Sequence, residues 1–483
     1  MRKALLIGTA ILAIGASKPT VLPIARPMTP SDKAAGAKAH PQLLAEFGGL
    51  YEGPQAAYVT RVGQKIALQS GLADTQSAFT VSLLNSSVSN AFAIPGGYIY
   101  VTRELLALMN DEAELASVMG HEVGHVAARH AQQRSSAATK GTLGTILGTV
   151  LGAVIAGNEG AKLGQQLAGT LAQRYVLKYS RSQEYQADDL GVSYLGKAGY
   201  DPMASSSMLA ALAAQTALDA QVQGKGGQTL PEWASTHPDP ASRVARAAQR
   251  AGSTVATGKA RNRDAFLNAI DGVLYDDDPH QGVIDGRRFR HPDLKLTFTA
   301  PVGYSMVNSP QAVTISSSAG QAQFTAAAYD GNLDTYVDSV FRSVGGQTRL
   351  DYGNIATRQV NGIKAAYASA GAETQSGPVV VTVYAYELSP TSAFHFVAIT
   401  PSGSQGAFNS LFESFARLGP DEVVAIKPKH VNVITVKSGG TVQSLSARMA
   451  YADYKIERFR VLNALGANDV LKTGQKVKIV VSG

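Results

Sequence analysis

Apolar residues in the first half of the chain recur mostly at helical spacing. This pattern runs from Leu43 to about Arg250 and is interrupted by a strand-like stretch from Phe79 to Val101. A helical segment with one short strand-rich insertion predicts a mainly helical domain that holds a small sheet. We assign residues 43–250 to this domain.

From Pro292 the chain alternates β-branched, aromatic and polar residues, which is typical of antiparallel strands. The clearest predicted hairpin joins Val379–Leu388 to Ala393–Thr400. Residues 290–419 are therefore predicted to form an antiparallel α+β domain. Two apolar stripes at helical spacing predict its helices, namely Leu333, Val337, Val340, Phe341 and Val344, and Phe408, Leu411, Phe412 and Phe415.

Segments without periodic hydrophobicity separate the domains. Residues 251–289 are interpreted as a linker or strap and residues 420–432 as a short linker, which leaves 433–483 for a small module. A chain of 483 residues is too long for one compact core, so a multidomain protein is expected.

The N-terminus has the layout of a secretory signal peptide. Met1-Arg2-Lys3 is cationic, Ala4 to Ala16 is apolar, and small residues follow. A helix of this length rises about 20 Å, short of the ~30 Å hydrocarbon core, which favours cleavage over retention as an anchor. We predict a signal peptide at 1–17, a leader or linker at 18–42, and a secreted, periplasmic mature protein.

Composition narrows the possible functions. The absence of cysteine excludes disulfides, thiol nucleophiles and cysteine-ligated zinc. The net charge of +7 is small for a chain of this length, and the basic residues form no dense Lys/Arg run. No nucleic-acid partner is therefore expected.

The segment with recognisable chemistry runs from Asn110 to Arg134, and Asp111 followed by Glu114 predicts the N-cap of a helix there. In the run His121-Glu122-Val123-Gly124-His125, residues four apart lie on one helical face, so both imidazoles can reach one metal ion. Glu122 lies about 100° round the helix, where it can contact a metal-bound water and act as general base. Solvated histidines are the alternative, but both histidines adjoin apolar positions.

A third ligand is predicted in the helical stretch that contains Glu184. Two histidines and one carboxylate leave the fourth position of a tetrahedral site for water, which is typical of catalytic zinc. Asp188 lies four residues later on the same face and is predicted to accept the free N–H of a zinc-bound imidazole. A surface carboxylate is the alternative. The predicted cofactor is one Zn²⁺ per chain, held by His121, His125 and Glu184.

Four motifs in the same order resemble those of the gluzincin zinc metallopeptidases of the HtpX and CAAX prenyl protease type, peptidase family M48. HExxH is followed by Glu184-Tyr185-Gln186-Ala187-Asp188. Asn90-Ala91-Phe92-Ala93-Ile94-Pro95-Gly96-Gly97 is similar to the family's active-site edge strand. Ser235-Thr236-His237-Pro238, with Arg243, is similar to its late His-Pro…Arg motif. The resemblance spans about residues 43–250.

The resemblance implies further roles. An edge strand beside the metal would pair with an extended peptide, although a plain hairpin is the alternative. His237 and Arg243 are the family's candidates for stabilising an oxyanion. His237 alternatively occupies the fourth metal position and holds the enzyme latent, or only caps a helix. The implied substrate-binding residues are Asn90, Ala91, Phe92 and Ala93.

The expected activity is that of a zinc metalloendopeptidase. Zinc would lower the pKa of its bound water and polarise the scissile carbonyl, while Glu122 transfers the proton to the leaving amine. The expected substrates are polypeptides, in particular misfolded or misassembled envelope proteins. Two alternatives stay open: a non-catalytic peptidoglycan-associated chaperone or binding protein, and a hydrolase of peptidoglycan peptides.

An uncharged glycine-rich run, residues 141–157, separates the predicted ligands. A single membrane crossing there would place His125 and Glu184 on opposite sides of the bilayer. We therefore expect a helical connection packed on the domain, or else a lid or a segment in peripheral membrane contact.

The two C-terminal domains resemble binding modules. Residues 290–419 resemble PsbP-like modules through Pro301-Val302-Gly303-Tyr304 and Val360-Asn361-Gly362-Ile363. Val436-Lys437-Ser438-Gly439-Gly440-Thr441-Val442, the stretch from Phe459 to Asn463 and the stretch from Leu471 to Ile479 are similar to parts of a LysM module. For residues 433–483 this resemblance implies a βααβ fold and contact with peptidoglycan. Two features depart from that pattern: Gly440 stands where the module usually has Asp, and the stretch from Arg448 to Arg460 is longer than usual.

Overall fold

The computed structural model describes residues 26–133, 179–223, 237, 240–345, 349–374 and 377–483. The predicted signal peptide (1–17) and the glycine-rich run (141–157) lie outside these ranges. Within the described ranges, no helix is both long enough and apolar enough to cross a membrane. The fold is multidomain, with a mainly helical N-terminal region followed by a sheet-rich C-terminal part, as the sequence predicts.

The helical region surrounds a three-stranded sheet in which β3 is central, parallel to β1 and antiparallel to β2. β2 therefore lies at an edge of the sheet. The strands are β1 (Thr80–Leu84), β2 (Ala91–Ile94) and β3 (Tyr98–Thr102). The helices are α1 (Pro30–Glu46), α2 (Pro54–Ala67), α3 (Arg103–Leu108), α4 (Glu112–Ala127), α5 (Arg181–Lys197), α6 (Ala204–Gln223), α7 (Pro240–Gly252) and α8 (Arg263–Ile270).

Glycines allow α4 and α5 to pack backbone against backbone. A Cβ added at Gly191 would lie 3.1 Å from the backbone nitrogen of His121, and one at Gly124 would lie 3.1 Å from the carbonyl oxygen of Ala187. Any larger residue at these positions would push the helices apart. This close approach sets one face of α4 directly against the middle of α5.

The segment predicted as a linker or strap contains part of the helical core. Phe266, Leu267 and Ile270 of α8 are fully buried in the same apolar cluster as α2 and α4. The short strand β4 (Leu274–Tyr275) follows. Helix α8 gives no clear signal in the sequence, because eight residues are too few to show a helical period.

The sheet-rich part is built on a seven-stranded antiparallel sheet of order β11-β12-β13-β14-β10-β9-β8, with helix α9 on one face and the short helix α10 on the other. The predicted hairpin is confirmed as β13 and β14, and the first predicted stripe is confirmed as α9. The second stripe forms only a short 3₁₀ turn and α10. The bounds are β8 (Ser305–Asn308), β9 (Val313–Ser317), β10 (Gly320–Ala326), α9 (Leu333–Gly345), β11 (Ala356–Val360), β12 (Ile363–Thr374), β13 (Gly377–Ser389), β14 (Ser392–Pro401) and α10 (Asn409–Ser414).

A four-stranded sheet of order β15-β7-β6-β5 packs beside it, and its members are β5 (Val283–Asp285), β6 (Arg288–His291), β7 (Leu296–Thr299) and β15 (Ala416–Arg417). The C-terminal segment then runs strand, helix, helix, strand, with β16 antiparallel to β17. These four elements are β16 (Lys429–Thr435), α12 (Val442–Ser446), α13 (Lys455–Leu462) and β17 (Lys476–Ser482), and the short helix α11 (Pro420–Ala425) precedes them. Strand β4 adds a third strand beside β16, which joins the C-terminal segment to the helical region.

Candidate metal centre

Helix α4 begins where the sequence predicts. Asp111 is its N-cap and accepts a hydrogen bond from the backbone N–H of Glu114, a contact typically worth about 1 kcal/mol. The helix ends at Ala127, just before a turn in which Arg129 adopts a left-handed conformation with φ of 56°.

Four buried side chains converge at one point: two come from α4, one comes from α5, and the fourth belongs to residue 237. His121, His125, Glu184 and His237 each offer one ligand atom, and these atoms all lie within 4.8 Å of one another. His125 Nε2 lies 3.0 Å from His121 Nε2 and 3.5 Å from Glu184 Oε1. His237 Nδ1 lies 3.2 Å from Glu184 Oε1. The group can hold a metal ion, and it contains all three predicted ligands together with His237.

Glu122 lies next to this cluster with one oxygen unsatisfied. The side chain is buried, and among the described residues its Oε1 has no hydrogen-bond partner. His237 Nε2 lies 3.6 Å from this oxygen. Burial raises the pKa of Glu122. A buried carboxylate oxygen without a donor is costly, and such groups are found where a ligand or a reaction uses them.

Asp188 and Arg243 form the wall behind the ligands. Asp188 Oδ1 lies 3.0 Å from His121 Nδ1, as expected for a carboxylate that orients an imidazole. Arg243 donates to Asp188 from Nε at 2.8 Å and to Glu184 from Nη1 at 2.5 Å. Burial raises the pKa of both carboxyl groups, but the surrounding cations outweigh it and the net pKa of each is lowered. Arg243 is thus engaged with two carboxylates instead of facing an open space.

The surroundings shift the pKa values of His125 and His237 in opposite directions. Burial, with nearby cationic groups, holds the pKa of His125 well below its ordinary value, so the neutral imidazole that a metal requires is favoured. His237 is equally buried, but the carboxylates of Glu184 and Glu122 outweigh burial and raise its pKa. His130, absent from the sequence analysis, also lies in this cluster, 2.8 Å from His125.

A cleft beside the metal cluster is lined by Ala93 of the edge strand and by Pro95 directly after it. His125, Val126 and Tyr179 also line this cleft. No described strand pairs with the outer edge of β2.

The four predicted substrate-binding residues differ in orientation. The backbone N–H of Thr102 donates to the carbonyl oxygen of Asn90, so Asn90 directs its backbone groups towards β3. Successive residues of an antiparallel strand alternate between the partner strand and the opposite side. Ala91 and Ala93 therefore direct their backbone groups to the outer edge. The ring of Phe92 is buried and stacks on Tyr100. Only Ala93 of the four lines the cleft.

The profile of Peptidase family M48 matches residues 54–251, a range that contains every side chain of the metal cluster. Residues 54–251 belong to peptidase family M48. The M48 domain thus coincides with the helical region that the sequence resemblance indicated.

Similar proteins match less than half of this chain. The β-barrel assembly-enhancing protease of Escherichia coli K12 is 33% identical over 201 residues, covering 40% of this chain and 38% of its own. That of Yersinia pestis is 30% identical over 219 residues, with 44% and 42% covered. Mitochondrial metalloendopeptidase OMA1 of Schizosaccharomyces pombe is 27% identical over 218 residues, with 44% and 59% covered. The matches span less than half the length of the two bacterial relatives.

A solved structure from Bacteroides thetaiotaomicron covers 41% of this chain at 8% identity, with a TM-score of 0.24. This similarity is too low to inform on the fold.

Proposed function

We propose that this chain is a zinc-dependent metalloendopeptidase of the bacterial cell envelope. The observation that carries the proposal is the convergence of two HExxH imidazoles and the Glu184 carboxylate beside the buried, unsatisfied Glu122. Membership of the M48 family and the protease names of the relatives support peptide bonds as the target.

The donor set favours zinc. Nitrogen-rich sites with one carboxylate suit Zn²⁺, whereas Ca²⁺ and Mg²⁺ prefer oxygen ligands throughout. A bound zinc ion would supply Lewis-acid polarisation of a substrate carbonyl and of a water molecule. His121, His125 and Glu184 would hold it, and Asp188 would keep the proton of His121 on Nδ1 so that Nε2 is free to ligate.

The remaining steps belong to the side chains. Glu122 would take a proton from the attacking water and deliver it to the leaving amine. Its raised pKa suits a group that must both accept and return a proton near neutral pH. The outward backbone groups of Ala91 and Ala93 would pair with an extended substrate, which accounts for cleavage within polypeptides of varied sequence.

Arg243 would act by positioning the carboxylates. Its hydrogen bonds to Asp188 and Glu184 neutralise two of the negative charges around the centre. This geometry supports a positioning role more than contact with an oxyanion.

His237 would hold the enzyme latent in the arrangement seen here. Its Nδ1 lies among the other three ligand atoms, so it would take the fourth position that a catalytic site needs open. Activity would then require His237 to move away, after which its imidazole could stabilise the oxyanion. The same closed set of four ligands is the observation that favours the non-catalytic alternative, because structural zinc sites have no open position.

One pair of variants tests both ideas on a casein substrate. Glu122→Gln should retain bound zinc, measured by metal analysis, and lose about 10²- to 10⁴-fold in activity. A wild-type protein that binds zinc and cleaves nothing, even as His237→Ala, would support the non-catalytic alternative. A rise in activity on His237→Ala supports latency, and a fall supports the oxyanion role alone.

The envelope location and the accessory modules complete the proposal. The signal-peptide layout of residues 1–17 supports export, and the name of the bacterial relatives links those proteins to β-barrel assembly. Misassembled envelope proteins are the proposed substrates. The strand-helix-helix-strand order of residues 429–482 supports a LysM-like module that binds peptidoglycan. An intact Met1 in the mature protein would contradict the export proposal, and failure of that module to sediment with sacculi would contradict glycan binding.

A further inference from the structure

His130 is fully buried against the metal centre, although it lies outside every motif that the sequence analysis identified. Its Nδ1 lies 2.8 Å from Nδ1 of His125, and its Nε2 lies 2.8 Å from Oε1 of Gln186 on α5. Both ring nitrogens therefore have a defined partner, and one of those partners is a predicted metal ligand.

The contact depends on the early end of α4. In a continuous helix, residues five apart point about 140° away from each other, so His130 could not reach His125. Residues 128 and 129 form a turn with Arg129 in the left-handed conformation, and the ring of His130 after this turn lies against His125. A side chain other than glycine in that conformation costs roughly 1–2 kcal/mol. The fold maintains this strained turn directly beside the centre.

The hydrogen-bond partners fix the direction of the protons. The amide oxygen of Gln186 only accepts, so Nε2 of His130 must be the donor in that contact. A neutral imidazole has one N–H, so Nδ1 of His130 is an acceptor. His125 must then donate from its own Nδ1, which leaves the lone pair on Nε2. Nε2 is the atom that faces His121 and Glu184.

We propose that His130 is a positioning residue that, with Gln186, fixes His125 in the tautomer able to bind a metal through Nε2. The inference rests on the proposed function only in taking His125 as a ligand. His121 is held by a different device, the carboxylate of Asp188 backed by Arg243. The charged pair of Asp188 and Arg243 thus orients His121, whereas the neutral pair of His130 and Gln186 orients His125.

Zinc affinity of the full chain, measured by competition with a chromogenic chelator, tests the proposal. His130→Ala should weaken zinc binding about 10- to 100-fold, the usual effect of removing a partner of a ligating histidine. His130→Asn should restore most of the affinity, because its Oδ1 can accept from Nδ1 of His125. Gln186→Glu keeps an acceptor and should bind zinc well, whereas Gln186→Leu should lose affinity. The matched control is His280→Ala. His280 is exposed and pairs with Asp293, so this variant should bind zinc as tightly as the wild type does.

Two spectroscopic measurements separate positioning from a general loss of structure. In the Co²⁺-substituted protein, His130→Ala should shift the visible d–d bands and His130→Asn should not. In metal-free protein labelled with ¹⁵N-histidine, His125 should carry its proton on Nδ1, and His130→Ala should yield a mixture of tautomers. Unchanged affinity, cobalt bands and tautomer in His130→Ala would overturn the inference. A wild-type protein that binds no zinc would instead overturn the proposed function, and the NMR measurement would still decide the role of His130.

Discussion

Helix α4 has a buried charged group near each of its ends, and the two sites differ in how completely their polar atoms are paired. Before its N-terminus, Lys478 of β17 is fully buried and its Nζ donates to the carbonyl oxygens of Ala107 at 2.7 Å, Leu108 at 3.2 Å and Met109 at 2.5 Å. Three ammonium protons meet three carbonyl acceptors. In the C-terminal half of the helix, four ligand atoms converge and Glu122 Oε1 has no donor among the described residues.

This difference separates a structural site from a functional one more reliably than burial does. Lys478 closes the C-terminal end of α3, where helix carbonyls lack partners within the helix. Its interactions are complete, so no ligand is needed to explain them. In the metal centre, nitrogen and oxygen ligand atoms converge on one another, and Glu122 Oε1 has no donor among the described residues. A bound ligand would explain this arrangement. Arg243 neutralises only part of the negative charge there.

The largest expected effect on stability comes from Arg243→Met. This change leaves Asp188 and Glu184 buried without their cation, a situation that typically costs about 3–5 kcal/mol. Arg246→Met on the same helix is the matched control. Arg246 is about one-third exposed, and its partner Asp189 keeps a second cation, Arg250, at 3.7 Å, so the loss of Arg246 should cost clearly less than that of Arg243.

Both variants are compared by urea unfolding of the metal-free protein, followed by hydrogen exchange of the amides of α5. Arg243→Lys keeps the charge and should recover part of the loss if Arg243→Met proves too unstable to purify. Equal stability of Arg243→Met and Arg246→Met would show that the centre does not depend on this cation.

The same contrast explains which parts of the molecule the sequence predicts. HExxH, the capped start of α4 and the hairpin of β13 and β14 follow from short-range spacing, and each is found where it was expected. The pairing of Lys478 with carbonyls about 370 residues earlier in the chain has no local signal. The contact of His130 with His125 depends on one left-handed residue, Arg129, which nothing in its own side chain requires. Local rules predict elements, whereas contacts made by turns and by docking of distant segments need the fold.

His395 in the sheet-rich part extends the comparison to a histidine whose contacts are ordinary. It lies in β14, within the strand predicted from Ala393 to Thr400, and its Nδ1 lies 2.9 Å from the hydroxyl of Tyr336. Burial lowers the pKa of His395 to about 4. The unfolded chain, with an ordinary pKa near 6.5, binds a proton between these values while the folded protein does not. Stability from this group is therefore present above pH 6.5 and falls as the pH drops to about 4, by about 3 kcal/mol.

Hydrogen exchange of the β14 amides at pH 4.5 and pH 7 measures this effect. The difference in opening free energy between the two pH values should be smaller in His395→Gln, which cannot take up a proton. If wild type and variant show the same difference, His395 is not the titrating group. Because it contributes nothing to the metal centre, this variant should keep the zinc affinity of the wild type.

The smallest expected effect comes from Lys478→Met, and it tests the structural side of the comparison. Methionine fills the space and removes the three donors, which leaves the carbonyls of α3 unpaired at a cost of about 1–3 kcal/mol. Lys476→Met on the same strand is the control, because Lys476 is half-buried and bonds only the side chain of Asn268 through Nζ. Its cost should stay near 0.5 kcal/mol, as is usual for surface changes.

Hydrogen exchange of the amides from 108 to 112 should increase in Lys478→Met and not in Lys476→Met, because the tie between β17 and the start of α4 is lost. At a temperature where the variant stays folded, its zinc affinity and peptidase activity should match those of the wild type. A variant that kept its stability but lost zinc or activity would mean that the C-terminal segment controls the centre through α4. The two buried sites would then form one functional unit and could not be treated as independent.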